Sequence, residues 1–285
     1  MKMMKCFNWR DHAPALLFRV AMILAMILAM PLGAQNSDST IAGGDRRFFR
    51  PREITVLATG LAASGVLSVF DKRIARWDQS SGVQGSSGRH RFVEDVTKVN
   101  ETTLTIAGLA AYGAGRLTHS EGLTDVAKHT TVAIVLTSLA SQAIRGPLGR
   151  TRPYVTKDSN QYDLHAFKGF QSYDYRAWPS LHSATAMAAG AALVGEIRER
   201  HPSAMPWAAP LIYTAAAMPG LSRMYLDQHW ASDVLAGDLL GLVIGGRLVH
   251  FAHSAPKGAG PRWLVNATVE PGVDGTMRLG LSIQP

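Results

Sequence analysis

Three short stretches of this chain combine arginine, histidine, serine and aspartate at spacings that suit the handling of an oxyanion. The first is Arg145-Gly-Pro-Leu-Gly-Arg150-Thr-Arg152-Pro153. Three guanidinium groups within eight residues, broken by Gly and Pro, cannot bury their charge against one another. Their planar forks match phosphate oxygens. The second is Trp178-Pro179-Ser180-Leu181-His182, directly before the small-residue run SATAMAAGAALVG. Ser180 can cap a helix there, and a helix start offers free N–H groups and partial positive charge to an anion. His182 then lies in the first turn, where it can give or take a proton. The third is Ser222-Arg223-Met-Tyr-Leu-Asp-Gln-His229-Trp-Ala-Ser-Asp233. His229 and Asp233 are four apart, so a helix puts them on one face. Asp233 can then accept from one ring nitrogen and aim the other at a substrate.

Each stretch taken alone also has a bland reading. A basic turn at a helix C-terminus offsets the helix dipole. Ser180 could be an ordinary cap beside a surface histidine, and His229 with Asp233 an ordinary helix-surface pair.

Six apolar segments must position these residues, at roughly 53–71, 101–117, 122–145, 182–198, 203–221 and 230–252. Each is long enough for a helix and none alternates as a strand would. Every motif follows or opens one of them. Asp78–Arg91 is rich in Gly and Ser and reads as a loop. Tyr154–Trp178 is a long aromatic connection of the kind that often forms a functional lid. Its Phe167, Phe170, Tyr173, Tyr175 and Trp178 either line an opening for an acyl chain or pack the loop onto the bundle. Near the end, Pro271-Gly272-Val273-Asp274-Gly275 between two β-prone runs suggests a short C-terminal hairpin.

Composition sets the frame. The chain has 285 residues, 47% hydrophobic and 18% charged, with a formal net charge of +8. That is enough to bury a sizeable core, and the basic balance favours anionic partners. The arginines gather around one apparent pocket rather than along a face, which argues against nucleic acid as a partner. Cys6 is the sole cysteine, so no internal disulfide and no cysteine-based metal site are expected.

Residues 1–34 read as an export signal. Lys2, Lys5, Arg10 and Arg19 precede the apolar run Val20–Met30, and Pro31-Leu32-Gly33-Ala34 offers a cleavage point. The expected organisation is therefore a signal peptide (1–34), a polar N-terminal segment (35–52), a helical domain (53–253) and a tail with a hairpin (254–285). The expected location is the periplasm or the periplasmic face of the cell envelope. Most uncharged stretches are only about 13 to 17 residues, short of the roughly 20 a span needs. Segment 203–221 is the best span candidate by sequence, although the mean hydropathy of the whole chain is only +0.03. A cleaved signal puts the mature N-terminus outside, and three spans would then carry Arg145 to the cytoplasmic side. An exported bundle that does not span removes the conflict. A membrane bundle with a retained leader is the other solution.

Together the three stretches resemble the type-2 phosphatidic acid phosphatase superfamily, which also contains bacterial nonspecific acid phosphatases and vanadium haloperoxidases. That family's pattern is K-x6-R-P, P-S-G-H and S-R-x5-H-x3-D. It is matched here by Arg145-x6-Arg152-Pro153, Pro179-Ser180-Leu181-His182 and Ser222-Arg223-x5-His229-x3-Asp233. The likeness covers roughly residues 100 to 250. Arg145 replaces the usual Lys and Leu181 the usual Gly. A side chain at 181 is tolerated only if the backbone there does not demand positive φ.

The resemblance implies an all-α fold, a bundle of about six core helices like that of the acid phosphatases and haloperoxidases. It implies a metal-independent phosphatase acting on phosphate monoesters or pyrophosphates of lipid or isoprenoid type through a phosphohistidine. The implied catalytic residues are His229 as nucleophile, His182 as acid and base, and Asp233 as orienting group. Arg145, Arg152, Ser180, the Leu181 N–H and Arg223 would bind phosphate, with no metal and no cofactor. The implied partners are a phosphorylated small molecule or lipid, with membrane association. Vanadate would inhibit. In the alternative reading, a vanadium haloperoxidase, it would be the cofactor. A soluble nonspecific acid phosphatase and a non-catalytic envelope protein are the remaining alternatives.

Overall fold

A computed structural model describes residues 48–254, together with the backbone of Asn266–Pro271 and Met277–Ser282. The leader, nearly all of the polar N-terminal segment and the expected Asp-Gly turn at 272–276 lie outside the described residues. The two tail strands pair antiparallel, Ala267 opposite Leu281.

From residue 48 to 254 every regular element is a helix. Those of at least two turns are α1 (Pro51–Leu67), α2 (Asp71–Asp78), α3 (Ser87–Thr97), α4 (Glu101–Leu117), α5 (Glu121–Leu148), α6 (Leu181–Arg200), α7 (Met205–Tyr225) and α8 (Ala231–His253). The six apolar segments correspond to α1 and α4 to α8. The Gly/Ser-rich stretch departs from its expectation as a loop: α3 starts inside it, because the Ser86 hydroxyl accepts from the Arg89 N–H at 3.3 Å and caps the helix. Similar caps start α4 at Asn100 and α5 at Ser120.

Helix α6 is the centre of the bundle. Thirteen of its residues are buried, among them the run Ala184–Ala192, and it packs against α5, α7 and α8. Its hydrophobicity is nearly uniform around its circumference, as suits a helix enclosed by others. The α6–α8 contact is made by small residues. A Cβ added to Gly237, Gly241 or Gly245 would lie 2.4, 2.1 or 2.3 Å from the carbonyl oxygens of Ser180, Ala184 and Ala188. Both sets repeat every four residues, so one face of α8 lies directly on the α6 backbone. Gly241→Val should therefore lower stability by about 3 kcal/mol or more, since backbone cannot step aside as a side chain can. A thermal unfolding midpoint unchanged by this substitution would disprove the close seam.

The outer surface is apolar. Ile54, Val66, Val69, Ile106, Leu109, Leu139, Trp207 and Leu211 are all exposed. Two helical stretches are long and apolar enough to cross a bilayer, Pro51–Asp78 and Ala231–His253. The α7 segment, the best span candidate by sequence, is not one of them. Pro206, Trp207, Pro210, Tyr213, Thr214 and Pro219 dilute its apolar residues. Ala231–His253 is largely enclosed by protein, whereas only 6% of the apolar window in Pro51–Asp78 is buried.

Candidate active site

Alternating helix directions bring the three motifs to one end of the bundle. Arg145 and Arg223 close α5 and α7, while Ser180 and Trp230 cap the starts of α6 and α8. Gly149 ends α5 in the left-handed region at φ 63°, and a Cβ there would strike the His165 carbonyl at 1.7 Å. Only glycine fits, and its turn sends Arg150–Arg152 across the bundle end.

The arginines of the first motif then divide. Arg152, 1% exposed, donates through Nη1 to the Gln228 carbonyl at 2.7 Å, and the same nitrogen lies 3.2 Å from His229 Nε2. Its Nε donates to the Tyr173 carbonyl at 2.9 Å. Arg145 donates through Nε to Gln142 at 2.9 Å, and among the described residues no acceptor engages its terminal nitrogens. Arg223 donates through Nη2 to the Tyr173 hydroxyl at 2.6 Å and to Gln228 Oε1 at 3.1 Å. The charges of Arg145, Arg152 and Arg223 all act on both His182 and His229.

A guanidinium can only donate, so Arg152 facing Nε2 makes that nitrogen an acceptor and puts the ring proton on Nδ1. Nδ1 faces Asp233 Oδ2 at 3.5 Å, longer than a formed hydrogen bond. Burial, reinforced by the Arg152 and Arg223 charges, holds His229 well below the usual histidine range. The ring is therefore neutral, with its Nε2 lone pair turned toward the arginines. Asp233 serves twice, since its Oδ2 also accepts from the Trp230 N–H at 2.8 Å and so caps α8.

Ser180 caps α6 with its hydroxyl and donates its N–H to the Asp233 carbonyl at 2.9 Å, joining the second motif to the third. Leu181 is not among the residues with positive φ, so the replacement of Gly costs no backbone strain, and its side chain is 2% exposed.

Arg150 and Asp71 are the functional neighbours that sequence reasoning missed. Arg150 turns away from the other arginines. Its Nη1 meets Asp233 Oδ1 at 2.5 Å and Ser232 Oγ at 2.7 Å, and its Nη2 meets Asp71 Oδ2 at 2.8 Å. Asp71 also accepts from the Ser232 N–H at 2.9 Å and from the Ser232 hydroxyl. Its position 79 residues before Arg150 carried no local signal.

The long connection is tied down to this strip. Backbone N–H groups of Thr151, Arg152, His165, Phe167 and Ala177 pair with carbonyls of Asp163, Asp174, Gly149, Pro147 and Arg150. Some of its aromatics pack the loop onto the bundle, one of the two roles weighed from sequence. Tyr173 stacks over Arg152, whose guanidinium carbon lies 3.7 Å from the ring centroid. Phe170 packs on Gly146, yet Phe167 and Phe170 stay 64% and 60% exposed at the rim.

The sequence pattern of the PAP2 superfamily matches residues 127–256, a stretch that contains all eight expected site residues. This stretch, residues 127–256, carries the PAP2 superfamily signature. A lipid A 1-phosphatase of Porphyromonas gingivalis is 25% identical over 235 residues, which cover 79% of this chain and 48% of that protein. The chain thus spans about half the length of the curated relative it matches. Among solved structures, the transmembrane PAP2 type phosphatidylglycerolphosphate phosphatase of Bacillus subtilis shares the fold, with a TM-score of 0.56 at 16% identity. The match covers 72% of this chain and 98% of that one. In this chain the motif spacing and the helix-end geometry therefore describe the same place.

Proposed function

We propose that this protein is a metal-independent lipid phosphatase, a phosphoric ester hydrolase working through His229. The observation that carries the reading is the buried His229 ring, its Nε2 3.2 Å from the Arg152 guanidinium. On binding, a phosphate oxygen takes over the Arg152 Nη1–H that now faces Nε2, and this frees the nitrogen to attack. The Nε2–P bond forms as the P–O bond to the alcohol breaks. His182, whose pKa burial and the three arginines lower to about 3 before phosphate binds, passes to the alcohol the proton that a phosphate monoanion brings in. Water then attacks phosphorus, giving its proton to His182, and the P–N bond breaks. Arg145, Arg152, Arg223, Ser180 and the Leu181 N–H stabilise the charge on the phosphoryl oxygens. Asp233 faces the Nδ1 proton and offsets the positive charge that the ring gains as Nε2 bonds to phosphorus.

Lipid phosphate is the substrate class best supported. The rim of Phe167, Phe170 and Tyr173 and the apolar outer surface suit a substrate presented from a bilayer. The named activities of the two similar proteins, on lipid A and phosphatidylglycerolphosphate, support the same reading. Membrane embedding at the cell envelope follows from it. The test is phosphate release by the purified protein in EDTA, comparing phosphatidate and lipid A in mixed micelles with p-nitrophenyl phosphate. Turnover of the lipids, undiminished by EDTA and inhibited by vanadate, is expected. Turnover confined to the soluble ester would refute the lipid assignment, and loss of activity in EDTA while the chain stays folded would refute the arginine cage.

A further inference from the structure

At the opposite end of the bundle, a second cluster of chemistry-bearing side chains takes no part in the mechanism. His129 is near the start of α5, Glu196 near the end of α6 and His253 is the last residue of α8. His129 Nδ1 lies 2.5 Å from Glu196 Oε1, and His253 Nε2 lies 3.1 Å from the same oxygen and 3.2 Å from Oε2. One ligand atom from each residue falls within 4.8 Å of the others. Arg200 Nε holds the second carboxylate oxygen at 2.9 Å and reaches Asp125 with Nη2 at 3.3 Å.

We propose that His129, Glu196 and His253 form a binding site for a divalent transition ion of the Zn²⁺ class. Two imidazole nitrogens and one carboxylate oxygen, each from a different helix, are a donor set that Zn²⁺ and its borderline neighbours prefer over Mg²⁺ or Ca²⁺. Without a metal, both rings must direct a proton at the same oxygen. One cation at the shared point replaces both donors. Metal–ligand bonds near 2.0–2.2 Å require the ring of His129 to back away by less than about 1 Å. Arg200 leaves Oε1 open while fixing the carboxylate, as a supporting partner outside the ligand set does. Glu196 is 1% exposed, whereas the His253 side chain is 28% exposed, so water can approach from that side as a fourth ligand. The ion would join α5, α6 and α8 at the end of the bundle remote from the phosphate cage.

The purified full chain, stripped with EDTA and dialysed, is titrated with Co²⁺ as a spectroscopic probe and then with Zn²⁺. The expected result is the visible d–d absorption of a four-coordinate Co²⁺ site, bleached by one equivalent of Zn²⁺. Saturating Zn²⁺ should raise the thermal midpoint by several degrees. His253→Ala, at the accessible edge, and Glu196→Gln should each abolish both signals, and His90→Ala on exposed α3 should keep them. No saturable binding at micromolar metal, or signals that survive His253→Ala, would overturn the proposal.

Discussion

His229→Ala is expected to lower phosphate release by about 10⁴-fold or more, because it removes the nitrogen that attacks phosphorus. The substitution leaves Arg152 its bonds to the Gln228 and Tyr173 carbonyls, so the cage keeps its shape and still binds phosphate. Removing a buried ring opens a cavity, and a moderate loss of stability, about 1–3 kcal/mol, is expected alongside. Rapid quenching of the wild-type reaction with radiolabelled lipid phosphate should trap an acid-labile phosphoenzyme that the variant lacks. Turnover within tenfold of wild type, or a phosphoenzyme in the variant, would remove His229 as the nucleophile. Asp233→Asn should cost less. Its carboxylate stands 3.5 Å from the ring, and it acts by holding the Nδ1 tautomer rather than by touching phosphorus.

Arg150→Met is expected to destabilise the fold by about 3–5 kcal/mol and lower its melting temperature by on the order of 10 °C. Asp71 and Asp233 are both fully buried, and Arg150 is the cation hydrogen-bonded to each. A charge removed from one side of such a network leaves its partners desolvated and unmatched. Activity should fall with stability, because Asp233 loses one of the contacts that fix it beside His229. Asp71→Asn combined with Arg150→Met should recover part of the loss, since the second change removes a charge that the first strands. A single variant as stable as wild type would mean that the triad contributes nothing net.

Local order was the part of this protein legible in sequence. Apolar segments of helical length, the Ser180 cap and the four-residue step from His229 to Asp233 depend on residues close in the chain, and helix geometry converts such spacing into position. The α3 start was hidden because Ser and Gly suit loops as well as caps, and the tertiary contacts that choose between them are not local. Residue type alone left Arg145, Arg150 and Arg152 as a cluster, and only the motif resemblance singled out Arg145 and Arg152.

Which arginine lies against His229 was decided by the fold. The Gly149 turn and partners 79 and 83 residues away draw Arg150 to the buried carboxylates of Asp71 and Asp233, while the Gln228 carbonyl and Tyr173 hold Arg152 over His229. The His129–Glu196–His253 cluster is equally a product of assembly, its members 67 and 57 residues apart. Backbone periodicity fixes which residues share one helix face. Only the packing of one helix against another brings separate faces, and the charges on them, to a common point.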